Sequence, residues 1–208
     1  MNITMKTLWI SHASLPYLKP LSAFILLSLA IVSSHADTYN IDSTHANARF
    51  AIDHFGTSTN TGGFYNLTGQ LQYDPDQRTG DITLIIPVNS LNTGNKAFDI
   101  TLKSADFFDV EKYPIAYFKS TQWTFSPDRK NPQVTQVEGN LTLSGQTHPV
   151  TLIANKFNCY LNPILKKKVC GGDFKATIDR RQWGISKYTL LGMTEKVDLA
   201  IQIEAAKQ

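Results

Sequence analysis

A chain of 208 residues with 20 basic and 17 acidic side chains carries a formal charge of only +3, too little for a polycationic nucleic-acid binder. Two of those cations, Lys6 and Lys19, sit in an acid-free N-terminal stretch, so the rest of the chain stands at +1 and shows no basic stripe interleaved with aromatics. No apolar run approaches the roughly 20 residues that a helix needs to span a bilayer.

The first 36 residues read as a secretory signal peptide. Met1 to Pro20 supplies the two lysines, Leu21 to Val32 is continuously apolar, and Ser34-His35-Ala36 offers small residues at the two positions a signal peptidase reads. A membrane anchor is the rival reading, but the apolar run is too short for one. Cleavage after Ala36 predicts a periplasmic or secreted protein of 172 residues, Asp37 to Gln208, a comfortable size for one domain.

Nearly every later segment repeats with period two. Ala46, Ala48, Phe50 and Ile52 alternate with Asn47, Arg49, Ala51 and Asp53, and the apolar row ends in His54. Phe64 follows, then Leu67, Gly69, Leu71 and Tyr73 alternate up to the turn Asp74 to Gly80, after which Ile82, Leu84 and Ile86 alternate again. Ser104 to Pro114 breaks the rhythm: Ser104 is a good N-cap, and Phe107, Phe108 and Val110 lie close together, so a short helix is predicted there. Strands resume at Tyr117 to Phe125, Val134 to Gly145, His148 to Phe157, Gly171 to Arg180 and Glu195 to Ala205. About eight strands at this spacing predict an antiparallel barrel or sandwich.

Cys159 and Cys170 close a short segment of an exported chain, which most simply means a disulfide. A metal site is the weaker reading, because His45, His54 and His148 show no ligand spacing and His148 is the only histidine near the cysteines.

The order of motifs resembles the YceI-like family. The matching pieces are F-x-I-x-H-F-G at Phe50 to Gly56, G-x-F-x-x-L-x-G-x-L-x-Y-D at Gly62 to Asp74, and L-K-S-A-D-F-F-D before K-Y-P at Leu102 to Pro114. G-x-L-T-L-x-G-x-T-x-P-V-x-L at Gly139 to Leu152 and D-R-x-x-W-G-I at Asp179 to Ile185 complete them. The resemblance covers essentially the whole chain after the leader. It implies an all-β, eight-stranded antiparallel, lipocalin-like barrel with a short helix, holding a polyisoprenoid lipid in an apolar cavity without established catalysis. Thr101 stands where family members often carry a histidine.

Phe50, Ile52, Phe64, Leu67, Leu71, Ile82, Leu84, Ile86, Phe118, Leu141, Leu143, Ile178 and Ile201 are the inward faces of such a barrel. Periodicity alone makes them equally a solid core or a cavity wall. Under the resemblance they line a cavity, joined by His54, Leu102, Phe107, Phe108 and Trp183. The expected ligand is an isoprenoid quinone such as ubiquinone, or a polyprenyl phosphate, with no cofactor and no metal. A membrane-surface contact and a homodimer are compatible with this reading.

His54 is either a satisfied rim histidine or a polar contact for a quinone carbonyl or a phosphate. Arg180 either orders a strand end or clamps a phosphate. Lys166, Lys167 and Lys168 are either a solvated face or a contact with anionic lipid. No G-x-S-x-G elbow, P-loop or dinucleotide fingerprint occurs, although a triad assembled from distant residues stays open. The alternatives carried forward are a lipocalin-like enzyme acting on a lipid and an envelope protein with a filled barrel.

Overall fold

The structure is a computed structural model that describes residues 36–208, so the expected signal peptide lies outside the described residues except for Ala36. The described residues form ten strands: β1 Asp37–Ile41, β2 Asn47–His54, β3 Ser58–Phe64, β4 Thr68–Asp74, β5 Thr79–Pro87, β6 Ile115–Phe125, β7 Val134–Leu143, β8 Gln146–Leu161, β9 Lys168–Asp179 and β10 Lys196–Lys207. From β4 to β10 each strand pairs antiparallel with the next. The free edge of β10 then takes both β2, with Leu199 opposite Phe50, and β1, with Ala205 opposite Ile41. β1 also pairs with β4 and β2 with β3.

β1 with β2, and β3 with β4, are therefore two halves of one long hairpin bent in the middle. The result is a closed eight-stranded antiparallel barrel with no free edge in its closed half. The bend has local causes. Asn66 adopts φ 58° and Gly69 φ 142°, and a Cβ on Gly69 would stand 2.0 Å from the Thr83 carbonyl oxygen. Only glycine fits there.

The helix forms more than two turns earlier than the sequence suggests, ending where the Ser104 cap was expected to start it. α1 spans Lys96–Lys103, its N-cap is Asn95, whose side chain accepts from the N–H groups of Ala97 and Phe98, and Ser104 closes its C-terminus by donating to the Thr101 carbonyl. Residues 104–113 are turns, with Asp109 at φ 45°. Asparagine is as strong an N-cap as serine, so Ser104 holds no advantage as a start.

The interior divides into two halves. Towards the termini and the β8–β9 turn, rings fill the barrel: Tyr73 lies 5.0 Å from Phe157 and 6.3 Å from Phe125, and Trp123 meets Phe157 edge-on at 5.8 Å. The void left in this half is about 20 Å³, which is ordinary dense packing. The disulfide Cys159–Cys170 joins directly opposed residues of β8 and β9 at this end, with Cα atoms 4.0 Å apart and Cys170 fully buried.

Candidate functional site: an apolar cavity in the other half

Beyond this aromatic floor the barrel is hollow. A cavity of about 210 Å³ runs from Leu84, Leu152 and Ile201, which also border the floor, to the surface beside the exposed His54 and Tyr188. The strand period builds its wall: Ala48, Phe50, Ile52 and His54 from β2, Leu84 and Ile86 from β5, Ala116 and Phe118 from β6, Leu141 and Leu143 from β7, and Val197, Leu199 and Ile201 from β10. Every second residue of a strand faces the same way, so a continuous apolar face arises without any irregular chain. Phe50 reaches its place because Gly62 opposite it has no side chain, a Cβ there standing 2.6 Å from the ring.

Two connections cap the open end. Phe98, Thr101 and Leu102 come from α1, Phe107 and Phe108 from the turns after it, and Trp183, Ile185, Tyr188 and Met193 from the β9–β10 connection. The connections hold each other: Lys187 pairs with Asp106 at 2.9 Å, and the Phe107 and Tyr188 rings lie 6.2 Å apart. Trp183 Nε1 donates to the Leu141 carbonyl at 3.0 Å, and Phe108 meets Phe64 edge-on at 5.2 Å.

Polar groups are few and gather towards the mouth. Asn60 pairs across from Ile52, and Thr101 Oγ1 donates to the Ala97 carbonyl. His54 packs edge-on against Phe55 at 5.0 Å, with no side-chain hydrogen bond among the described residues. Arg180 is only 5% exposed. Its Nε donates to the Thr194 carbonyl at 3.1 Å and its Nη1 to that of Ile185 at 2.9 Å, while Nη2 is buried without a partner. Burial pushes the guanidinium pKa down, opposed by the fields of Asp179 and Glu195. The hydrogen bonds from Arg181 hold the Asp179 carboxyl below the usual carboxylate range.

Of the residues expected to line a cavity, Phe50, Ile52, His54, Phe64, Leu67, Leu84, Ile86, Leu102, Phe107, Phe108, Phe118, Leu141, Leu143, Ile178, Trp183 and Ile201 converge on it. Leu71 and Ile82 instead belong to the packed floor. Phe98 escaped the sequence reading because the helix was expected further along the chain, from Ser104, and Ile185, Tyr188 and Met193 because they lie on an irregular connection with no period to follow. Val150, Leu152 and Leu199 were legible as alternating strand positions. Lys166, Lys167 and Lys168 stand at the far end of the barrel, in and beside the β8–β9 turn that Asn162 organises by accepting from the N–H groups of Ile164 and Leu165. Among the described residues no histidines, cysteines or carboxylates cluster as metal ligands, and no helix is long and apolar enough to cross a membrane.

A closed meander barrel, filled at one end and hollow at the other, is the architecture of lipocalin-like proteins that enclose a small apolar ligand. Within that class, residues 39–205 match the model of the YceI-like domain, and the chain belongs to that family. YceI of Salmonella arizonae is 33% identical over 196 residues, covering 91% of this chain and 98% of that protein. A UPF0312 protein of Vibrio cholerae is 29% identical over 186 residues, covering 88% and 94%. Among solved structures, Campylobacter jejuni YceI superposes with a TM-score of 0.64 at 22% identity, covering 76% of this chain and 90% of that one. A polyisoprenoid-binding domain from Saccharophagus degradans superposes with a TM-score of 0.57 at 13% identity, covering 82% and 98%.

Proposed function

We propose that the chain is a periplasmic carrier or reservoir that holds the prenyl chain of an isoprenoid quinone or a polyprenyl phosphate in the hollow half of its barrel. The observation that carries this reading is the division of the interior: one half is packed solid, and the other keeps an apolar cavity of about 210 Å³ that reaches the surface at a polar mouth. An apolar cavity of this kind stays dry and takes an apolar occupant. Each buried CH₂ contributes about 0.8 kcal/mol, and a bilayer offers a prenyl chain a similar gain, so exchange between barrel and membrane is close to balanced.

The cavity is smaller than the roughly 300–1,000 Å³ of a typical ligand pocket. It admits the end of a prenyl chain as it stands, and a longer stretch requires the cap of α1 and Phe107 to part. Binding rather than catalysis fits the wall, because no Asp, Glu, Ser or Cys borders the cavity among the described residues, leaving His54 without an acid to orient it. The disulfide suits an oxidising compartment such as the periplasm, and the likeness to a polyisoprenoid-binding domain favours an isoprenoid occupant.

Mass spectrometry of an organic extract of protein purified from its natural host is the test. A prenyl quinone or polyprenyl phosphate at a molar ratio near one is the expected result. An extract free of prenyl species, together with no thermal shift on adding ubiquinone or a polyprenyl phosphate, overturns the proposal.

A further inference from the structure

Arg180 is the one Lys, Arg, Asp or Glu side chain among the described residues that border the cavity. It is held rigidly: Nε and Nη1 are spent on the carbonyls of Thr194 and Ile185, both in the connection that caps the mouth. A guanidinium offers five N–H donors in a fixed fork, and the pair on Nη2 has no acceptor. The nearby carboxylates do not neutralise it directly. Asp179 is engaged by Arg181 through both oxygens, and the Glu195 carboxylate acts on the guanidinium only through its field, the contact between the two residues being the Arg180 backbone N–H donated to the Glu195 backbone carbonyl. A charge taken out of water without a bonded counter-ion is costly, and the low dielectric that makes it so also strengthens any hydrogen bond it does form.

The strand register places this group at the mouth. Asp179 pairs with Lys196 and Ala51 with Asp198, so Arg180 and His54 lie at the same end of the barrel, opposite the aromatic floor. An amphiphile entering tail first would bring its head to Arg180. A neutral carbonyl there would accept from Nη2 and leave the charge uncompensated, whereas an anionic oxygen answers both.

We propose that Arg180 is the headgroup-binding residue of the cavity and that the native ligand carries an anionic head, a phosphate or a carboxylate, with one oxygen accepting from Nη2. This rests on the cavity holding an apolar chain, as proposed above, but not on that chain being prenyl.

Two matched pairs of probes, farnesyl phosphate with farnesol and dodecyl phosphate with dodecanol, are titrated into delipidated protein by calorimetry. The phosphate of each pair should bind the wild type tighter by about tenfold or more, the scale of a hydrogen bond to a charged group. Arg180→Gln should abolish that preference and leave the alcohols unchanged, and Arg180→Lys, which keeps the charge but not the fork, should retain part of it. Equal binding of phosphate and alcohol by the wild type, or a preference that survives in the folded Gln variant, overturns the assignment. If the Gln variant does not fold, full preference in the Lys variant overturns it and reduced preference supports it. Dodecyl phosphate bound in an Arg180-dependent way while neither farnesyl probe binds supports the assignment and overturns the prenyl reading. Farnesol and farnesyl phosphate bound equally does the reverse.

Discussion

His54 ends the inward row of β2 where the barrel wall meets solvent, and its imidazole forms no hydrogen bond to the protein among the described residues. A group in that position adds little to the stability of the fold and is free to meet a ligand. His54→Ala should therefore weaken binding of a prenyl ligand with a polar head by about 0.5 to 1.5 kcal/mol, the net worth of one hydrogen bond, with an unchanged melting temperature. Calorimetric titration beside a thermal melt measures both, and a lowered melting temperature with unchanged affinity would assign His54 a purely structural role. Tyr39 is the opposite kind of residue, fully buried in the floor. Burial, with the Asp37 carboxylate beside it, pushes its hydroxyl pKa up from 10.0 to about 12. The unfolded chain then ionises before the folded one, so the contribution is complete below pH 10 and is lost as the pH rises towards 12. Denaturant melts across that range should show falling stability, and Tyr39→Phe should flatten the slope, with Tyr73, also shifted up by burial, retaining part of it.

Among the elements, the β8–β9 hairpin and α1 serve opposite ends of the molecule. The hairpin carries the disulfide beside the aromatic floor, far from the mouth. Closing a loop of this length stabilises a chain by about 3 kcal/mol in the entropy model. Replacing both cysteines by serine should lower the melting temperature while the protein stays folded by circular dichroism and keeps its extractable lipid. Loss of lipid would mean that the two halves of the barrel are coupled more tightly than their packing indicates. The helix shows where sequence reading stops. The sequence reading takes Ser104, ahead of Phe107 and Phe108, as the only start, whereas the structure starts the helix at Asn95, with Ala97, Phe98 and Leu102 behind it. Local propensity cannot choose between two caps nine residues apart. The choice is made by tertiary packing, which sets Leu102 and the two phenylalanines against the same cavity.

For the molecule as a whole, strand period named wall residues on β2, β5, β6, β7, β9 and β10, because a period of two marks the inward face wherever the chain is regular, but it left Ala116, Val150, Leu152, Val197 and Leu199 unnamed, and Leu102, Phe107, Phe108 and Trp183 came only from the family resemblance. It could not separate wall from floor, since Ile82, Leu84 and Ile86 are indistinguishable in alternation along β5. What separates them is the company across the barrel: Trp123, Phe157 and Phe174 fill the space before Ile82, whereas Ile86 faces the cavity. The same substitution at the two positions should accordingly have opposite consequences. Ile82→Trp forces a large ring into a packed layer and should cost about 1 to 3 kcal/mol of stability, leaving the hollow half and its lipid intact. Ile86→Trp places that ring in open space, so the protein should melt near the wild-type temperature and lose its extractable lipid. Denaturant melts and mass spectrometry of organic extracts on both variants measure the contrast. Equal destabilisation at both sites would show that the hollow half is as tightly filled in solution as the floor, and with it the barrel would lose its claim to carry a chain.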